Sequence, residues 1–352
     1  MLEILPVHFG TLVSLYIHST MRSFITLALC LGAVTASELK TRTVYQFASN
    51  DTWLENLVTR SNGNILATEI GPPANLLSFD PREKNPRKNV IKDFISVLGL
   101  SGITEGAHDV FYVTGANTTS DNITDPPKNA THVWEVDFNG NGDNPKIKLL
   151  CRPTAPTGFN GLAAFNETII LATASFQDSI FAIDTKTGRT WEAIKQESLM
   201  SSINGIKVSD GFVYWTANGA LYRAKLYPNV TAGTGQLIYQ GSAFDDFAIA
   251  PNGFALNSTY GSNYKFAYLT TAALNTIEQV IFTRNGTAIG GETIAGAEDS
   301  TEVAEPTGVF FGRGEGQSNK IYITTGGASA VNVDVNGTET AVGAQLLEIQ
   351  LN

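Results

Sequence analysis

The stretch Ile203–Asn218, INGIKVSDGFVYWTAN, shows the unit from which the chain is built. A short strand leads into a turn at Ser-Asp-Gly, and a second strand rich in β-branched and aromatic residues follows. The unit opens on Asn204-Gly205, which neither strand requires. Segments of the same kind are LENLVTRSNGNILATE, ITEGAHDVFYVTGAN, GFNGLAAFNETIILATAS, DDFAIAPNGFALNSTY and EPTGVFFGRGEGQSNKIYITTG. The sequence therefore repeats one strand-turn-strand element six times.

Each repeat has a polar residue at its opening position. These residues are Glu55, Glu105, Asn160, Asn204, Asp246 and Glu305, at intervals of 42 to 59 residues. Four strands with their turns take about 40 to 50 residues in one propeller blade, so we predict an all-β, six-bladed β-propeller. We expect the strands Thr41–Phe47 and Gln345–Leu351 to share a blade and close the ring. A pair of β-sandwiches is the alternative, and it gives no reason for the repeated opening.

The first 36 residues are predicted to lie outside the propeller. Residues 21–36, MRSFITLALCLGAVTA, combine a basic residue, an apolar run and a small-x-small ending, which is the pattern of a secretory signal peptide. A membrane anchor is the alternative, but the apolar run is about a dozen residues and a spanning helix needs about 20. We interpret residues 1–20 as an upstream extension and residues 37–352 as a single propeller domain.

Nine Asn-x-Ser/Thr triplets follow the signal segment and favour a glycoprotein that is secreted or resides in the secretory-pathway lumen. They start at Asn50, Asn117, Asn122, Asn129, Asn166, Asn229, Asn257, Asn285 and Asn336. Cys30 lies in the signal segment, so Cys151 has no disulfide partner in the mature chain. The net charge of −10 argues against a nucleic-acid partner, because phosphate binding relies on basic surface. No membrane span is expected once the signal is removed.

The opening residues are expected to converge, since the first strand of each blade lines the central channel of a propeller. Glu55, Asn160, Asn204 and Asp246 carry oxygen atoms, the ligands that Ca²⁺ and Mg²⁺ prefer. The alternative is that these residues only form turns. Aromatic residues predicted at the same mouth, as walls of an apolar binding site or as packing between blades, are Trp53, Phe159, Phe176, Phe247 and Tyr260.

The openings Asn160-Gly161 and Asn204-Gly205, with Glu55 in the first unit and Asp246 in the fifth, resemble a known family. It is the senescence-marker-protein/gluconolactonase group of six-bladed propellers. The resemblance implies one divalent cation held by the four residues Glu55, Asn160, Asn204 and Asp246, with Asp246 also acting as the general base in lactone hydrolysis.

A closer resemblance is carried by TWLENLVTRSNGNILAT, FNGLAAFNETIILATASFQDSIFAID and EPTGVFFGR. These stretches look like a secreted fungal branch of the superfamily, the hetero-Diels-Alderases of tropolone-sesquiterpenoid pathways. That resemblance implies apolar small-molecule substrates, a quinone methide and a humulene-type alkene, and requires no cofactor. The aromatic residues would orient the alkene, and Asn204, Asn160 or His132 would donate hydrogen bonds to the heterodiene. A propeller that only binds small molecules or proteins is the non-enzymatic alternative.

Overall fold

The computed structural model describes residues 39–154, 156–254, 261–329 and 332–351. These residues belong to one compact unit, Ala36–Asn352. The helices of this part of the chain are two single turns of 3-10 type, Ser120–Asn122 and Ala272–Leu274. Neither is long or apolar enough to cross a membrane. The predicted upstream extension and signal segment lie outside the described residues.

The rest of the regular structure is β-strand. In chain order the strands are β1 (Thr41–Gln46), β2 (Trp53–Thr59), β3 (Ile65–Ile70), β4 (Asn75–Phe79), β5 (Asn89–Asp93), β6 (Gly99–Glu105), β7 (Val110–Ala116), β8 (His132–Asp137), β9 (Lys146–Cys151), β10 (Leu162–Asn166), β11 (Ile169–Ala174), β12 (Ser179–Asp184), β13 (Thr190–Lys195), β14 (Ile206–Ser209), β15 (Phe212–Ala217), β16 (Ala220–Lys225), β17 (Gln236–Gln240), β18 (Phe247–Ile249), β19 (Tyr264–Thr271), β20 (Thr276–Thr283), β21 (Ala288–Gly296), β22 (Pro306–Phe311), β23 (Lys320–Thr325), β24 (Val333–Val335), β25 (Thr338–Thr340) and β26 (Gln345–Gln350).

Twenty-four of the strands form six antiparallel blades of four strands each, and β24 and β25 form a separate two-stranded sheet. Blades 3, 4 and 5 are the separate sheets β10–β13, β14–β17 and β18–β21. Blades 1 and 2, β2–β5 and β6–β9, are joined into one eight-stranded sheet by the single residue pair Ile70–Gly99. Blade 6 has the order β22-β23-β26-β1. The first strands β2, β6, β10, β14, β18 and β22 contact one another in a closed circle. The predicted all-β propeller is confirmed.

Blade 6 closes the ring with both ends of the domain. Its outer strand β1 pairs antiparallel with β26, and Thr41 lies opposite Ile349. Leu346, Leu347 and Ile349 of β26 are fully buried. The predicted closure is therefore confirmed, and it covers the outer edge of β26.

The hydrophobic core lies between neighbouring blades. Leu171 and Ile180 of blade 3 pack in one cluster with Ile206 and Trp215 of blade 4, and all four are fully buried. Alternation along each strand sends successive side chains to opposite sheet faces, so every blade contributes to two such layers. Packing of each blade against both neighbours fixes the positions of the first strands around the channel.

Five buried threonines link neighbouring blades at five of the six junctions around the channel. They stand on the second strand of their blades and are Thr68, Thr173, Thr216, Thr270 and Thr324. Thr173 shows the pattern: its Oγ1 accepts from the Gly161 backbone N–H of its own blade and donates to the Asn204 carbonyl of the next. The other four also donate to a first-strand carbonyl of the next blade, those of Ser101, Asp245, Thr307 and Glu55. This ladder sets the register of the residues at the channel mouth.

Close approach of the first strands predicts a steric requirement for Gly102. A Cβ at this position would lie 2.3 Å from the Asn160 carbonyl oxygen of the next blade, which is backbone and cannot move aside. We expect Gly102→Ala to lower the free energy of unfolding by about 1–3 kcal/mol through overpacking. Gly290→Ala is the matched control, because a Cβ there meets nothing within 4 Å. Urea unfolding of both variants measures the difference. Equal stabilities of the two variants would contradict the close approach of the first strands at Gly102.

Candidate functional site

Backbone register places one residue of each blade at the same height of the channel mouth. Asn160 and Asn204 each donate their N–H to the carbonyl of a ladder threonine, Thr173 and Thr216, and Asp245 does the same with Thr270. The carbonyls of Glu55, Ser101 and Thr307 accept from ladder threonines of the preceding blades. The mouth ring is therefore Glu55, Ser101, Asn160, Asn204, Asp245 and Thr307.

Three opening residues assigned from the repeat alignment do not belong to this ring. Asp246 lies one residue beyond it, because Asp245 makes the ladder contacts of the fifth blade. Glu105 ends β6 instead of opening it, and pairs with Arg313. Glu305 directly precedes β22, two residues before the ring residue Thr307.

A cavity of about 310 Å³, called here the upper cavity, opens on part of the ring. Of the predicted site residues, Glu55, Asn160, Asn204, Phe159 and Phe176 line it. Ile70, Leu100 and Ile123 add apolar surface, while Ser101, Thr157 and Ser175 add hydroxyl groups. Phe176 is 47% exposed and Phe159 only 5%, so one aromatic ring faces solvent and the other is enclosed. Apolar walls with a few convergent polar groups are typical of a small-molecule site.

The structure places three other predicted residues, Trp53, Phe247 and His132, away from the cavity lining. The indole N–H of Trp53 donates to Glu55 Oε2 at 2.7 Å, so Trp53 holds a cavity residue in place. Phe247 is fully buried and packs between blades. The imidazole of His132 stacks on Trp134 with 5.3 Å between the ring centres, and its Nδ1 lies 2.9 Å from the Ala130 carbonyl oxygen. Tyr260 lies outside the described residues.

Asp246 belongs to a buried network just inside the ring. Lys207 Nζ lies 2.7 and 2.8 Å from the two carboxylate oxygens of Asp246. The amide of Asn56 donates to the same carboxylate at 3.0 Å. Asp246 is 2% exposed and its ion pair is compensated by these donors, as buried charges require. We call Asn56, Asp246 and Lys207 the partition.

Two buried carboxyl groups of the ring have perturbed acidity. Burial raises the pKa of Glu55 to about 7; the Trp53 hydrogen bond opposes this shift, and the charges of Asp246 and Glu305 add to it. Burial, followed by the charges of Glu55 and Asp246, raises the pKa of Asp245 well above its usual range, against a hydrogen bond from Asn204. Near neutral pH the ring therefore offers protonated carboxyl groups that can donate hydrogen bonds.

The raised pKa of Glu55 predicts a pH-dependent effect of Glu55→Gln. Protonation of Glu55 stabilises the fold fully below its ordinary pKa, and this contribution is lost as the pH rises to about 7. Gln stays neutral, so at pH 8 the variant should exceed the wild type in stability by about 2–3 kcal/mol, with a difference near zero at pH 4. Urea unfolding at both pH values measures it.

Glu348 supplies a control of opposite sign for that experiment. Burial raises the pKa of Glu348, but hydrogen bonds and charges from Arg42 and Lys320 outweigh it and hold the pKa below its usual value. Glu348→Gln should therefore lose stability at pH 8 relative to the wild type. Parallel behaviour of the two variants would contradict the assignment for Glu55.

The mouth ring carries oxygen ligands that suit a hard cation, but they are not the four predicted residues, because Asp245 takes the place of Asp246. Among the described residues, no three His, Cys, Asp or Glu side chains group as a metal site. A cation would need the amide oxygens of Asn160 and Asn204 beside the carboxylates of Glu55 and Asp245. The Oδ1 atom of Asn204 fits such a role, since it is buried and has no hydrogen-bond partner in the described part of the chain. Asp246 does not fit, because Lys207 and Asn56 already contact both of its oxygens.

Sequence reasoning missed Asp245, Ser101, Asn56 and Lys207. The threonine near the end of the second strand in blades 1, 3, 4, 5 and 6 was a usable signal, because it marks the ring residue opposite it. Lys207 is the fifth residue of the INGIK opening, and nothing in the repeat distinguishes it from a solvated lysine.

Comparison with known proteins supports the resemblance found in the sequence. A curated protein from Phoma sp named "Putative hetero-Diels-Alderase" is 23% identical, and the match covers 81% of this chain and 86% of that protein. The chain is similar to hetero-Diels-Alderases. A second relative, "Putative hetero-Diels-Alderase asR5" from Sarocladium schorii, is 25% identical over 81% of this chain and 78% of its own. No family model matches.

Solved structures show the same fold at low sequence identity. Virginiamycin B lyase from Staphylococcus aureus superposes with a TM-score of 0.53 at 14% identity, over 90% of this chain and all of that one. The PQQ-bound aldose sugar dehydrogenase from Streptomyces coelicolor gives 0.54 at 11% identity, over 89% and 98%. These likenesses concern the propeller alone.

Proposed function

We propose that this protein is a cyclase that joins a tropolone-type quinone methide to a humulene-type sesquiterpene in the upper cavity. The observation that carries the proposal is the lining of that cavity, in which the amides of Asn160 and Asn204 and the carboxyl group of Glu55 meet apolar walls. The two curated relatives, whose names describe hetero-Diels-Alderases, support a related cyclase function.

The reaction needs no proton acceptor, nucleophile or redox partner. The oxygen and the terminal carbon of the heterodiene each bond to one carbon of the alkene, so two σ bonds replace two π bonds. Atoms and electrons balance without a leaving group. The protein can accelerate such a step by holding both partners in a reactive pose, which converts a bimolecular encounter into an intramolecular one.

The polar lining would bind the oxygen atoms of the heterodiene. Asn160 and Asn204 line the cavity, as does Glu55, which is half protonated near pH 7 because its pKa is about 7. A hydrogen bond to the heterodiene oxygen withdraws electron density and makes the diene more reactive toward an electron-rich alkene. Phe159 and Phe176 supply aromatic surface for the hydrocarbon partner. His132, outside the lining, is not needed for these contacts.

A second candidate is the hydrolysis of lactones with a bound Ca²⁺ or Mg²⁺. It is favoured by the Oδ1 atom of Asn204, which is buried and has no hydrogen-bond partner among the described residues. In that case Glu55, Asn160, Asn204 and Asp245 would hold the cation, which would polarise the lactone carbonyl. Asp245 would replace Asp246 as the candidate base, since Asp246 is paired with Lys207.

One assay separates the candidates. Purified protein is incubated with a quinone-methide precursor plus humulene and, separately, with a panel of lactones, each with and without chelator. The cyclase proposal predicts adduct formation that chelator does not abolish. Lactone turnover that chelator abolishes, without adduct, would establish the second candidate. Binding of the substrates without turnover of either would indicate a binding propeller.

We also propose that the protein passes through the secretory pathway. Six sequon asparagines are exposed: Asn50, Asn129, Asn166, Asn229, Asn285 and Asn336. Protein expressed with its own N-terminus in a fungal host should lose mass on treatment with an N-glycan-removing endoglycosidase. A cytosolic fraction that carries the full amount of unmodified protein would contradict export.

A further inference from the structure

The channel contains a second cavity, of about 440 Å³, that the proposed cycloaddition does not use. We call it the lower chamber. All six first strands contribute to its lining, represented by Leu57, Ile103, Ala164, Val208, Ile249 and Phe310. Its volume lies in the range of small-molecule sites, and its lining is mainly aliphatic and aromatic.

The partition separates the lower chamber from the upper cavity. Asn56 and Lys207 line the lower chamber, whereas the neighbouring ring residues Glu55 and Asn204 line the upper cavity. No residue lines both. Asp246 connects Asn56 to Lys207 through contacts of 2.7 to 3.0 Å. The Asp246 carboxylate is buried and both of its oxygens accept hydrogen bonds, which makes this layer resist displacement, so the two spaces should bind ligands independently.

Charge inside the lower chamber is balanced. The ammonium of Lys207 is paired with Asp246, and the guanidinium of Arg313 is paired with Glu105. Arg313 also donates to the Thr59 carbonyl oxygen at 3.1 Å, and both of its contacts use Nη1. An ammonium has three N–H donors and a guanidinium five, so donors exceed these contacts. The chamber thus favours a ligand without net charge that carries an acceptor oxygen.

We propose that the lower chamber is a second small-molecule site, which takes an uncharged, mainly hydrocarbon ligand with one carbonyl or hydroxyl oxygen. The aliphatic first-strand side chains contact the hydrocarbon body, and Lys207 or Arg313 donates to the oxygen. The site is independent of the chemistry in the upper cavity.

Photolabelling of the wild-type protein with benzophenone tests the proposal. Benzophenone is neutral, apolar and carries one carbonyl oxygen, and on irradiation it inserts into C–H bonds close to its binding position. Peptide mapping should locate saturable labels on lower-chamber residues such as Ile103, Val208 and Ile249. Labels confined to upper-cavity residues or to the outer surface would overturn the proposal.

Variants that fill one cavity at a time give the second measurement. Ala164→Phe and Thr104→Phe fill the lower chamber from two different strands. Each should lower the labelling of Val208 and Ile249 at least about tenfold, the effect of 1.4 kcal/mol in affinity. Thr118→Trp, which fills the upper cavity, should leave the labelling of Val208 and Ile249 unchanged. Thermal unfolding confirms that each variant is folded. Unchanged lower-chamber labelling in a folded Ala164→Phe or Thr104→Phe variant would equally overturn the proposal.

Discussion

Replacement of Lys207 by Met is expected to lower the free energy of unfolding by about 3–5 kcal/mol, because it leaves the Asp246 carboxylate buried without its cation. Asp246 is 2% exposed, so its carboxylate gains little hydration in place of the lost ammonium. For a domain of this size the change corresponds to roughly 4–8 °C in Tm. Chemical and thermal unfolding measure it.

An exposed ion pair provides the matched control. Lys195 and Glu192 are 4.0 Å apart, with side chains 42% and 45% exposed. Lys195→Met should therefore cost less than about 1 kcal/mol. Removal of both charges, in Lys207→Met combined with Asp246→Asn, should restore part of the stability lost in Lys207→Met alone. Equal stabilities of the Lys207→Met and Lys195→Met variants would contradict the partition as a buried, charge-compensated layer.

Replacement of Asn204 by Leu is expected to lower the rate of cycloaddition about 10²-fold, the typical effect of removing one preorganised donor from a catalytic site. Leu keeps a similar volume and cannot donate to the heterodiene. The effect should appear in kcat more than in KM, since the hydrogen bond strengthens as charge develops in the transition state.

Asn252 supplies the control for that substitution. It is exposed, lines neither the upper cavity nor the lower chamber, and bonds to Asp210 at 2.7 Å. Asn252→Leu should keep the wild-type rate. Comparable rates of cycloaddition for Asn204→Leu and the wild type would show that the Asn204 amide takes no part in the reaction.

The sequence predicted the propeller and its closure because both depend on short-range patterns. Strand alternation, turn residues and a repeated opening are each visible within about 20 residues, and the terminal strands are recognisable as one incomplete blade. The amides Asn160 and Asn204 and the carboxylate Glu55 could be placed for the same reason. Their hairpins are short, so the ladder threonine follows at a nearly constant distance.

Errors arose where the repeat is irregular. The hairpin of blade 5 is long, and Asp245-Asp246-Phe247 gives two adjacent acids of which only the ladder contact with Thr270 selects one. In blade 2 the ring residue is Ser101, which is not acidic, and the acid at the far end of β6, Glu105, was taken for the opening residue. Phe247 shows a further limit: a first-strand side chain can point between blades as readily as into the channel mouth.

The stereochemical purity of the adduct tests the central claim most directly. An uncatalysed addition of achiral partners in free solution gives both enantiomers equally. Wild-type protein should yield one enantiomer in large excess, and the filled variant Thr118→Trp should return the product to a racemate at the uncatalysed rate. A racemic product with wild-type protein, or an enantiomeric excess that Thr118→Trp leaves unchanged, would contradict catalysis in the upper cavity.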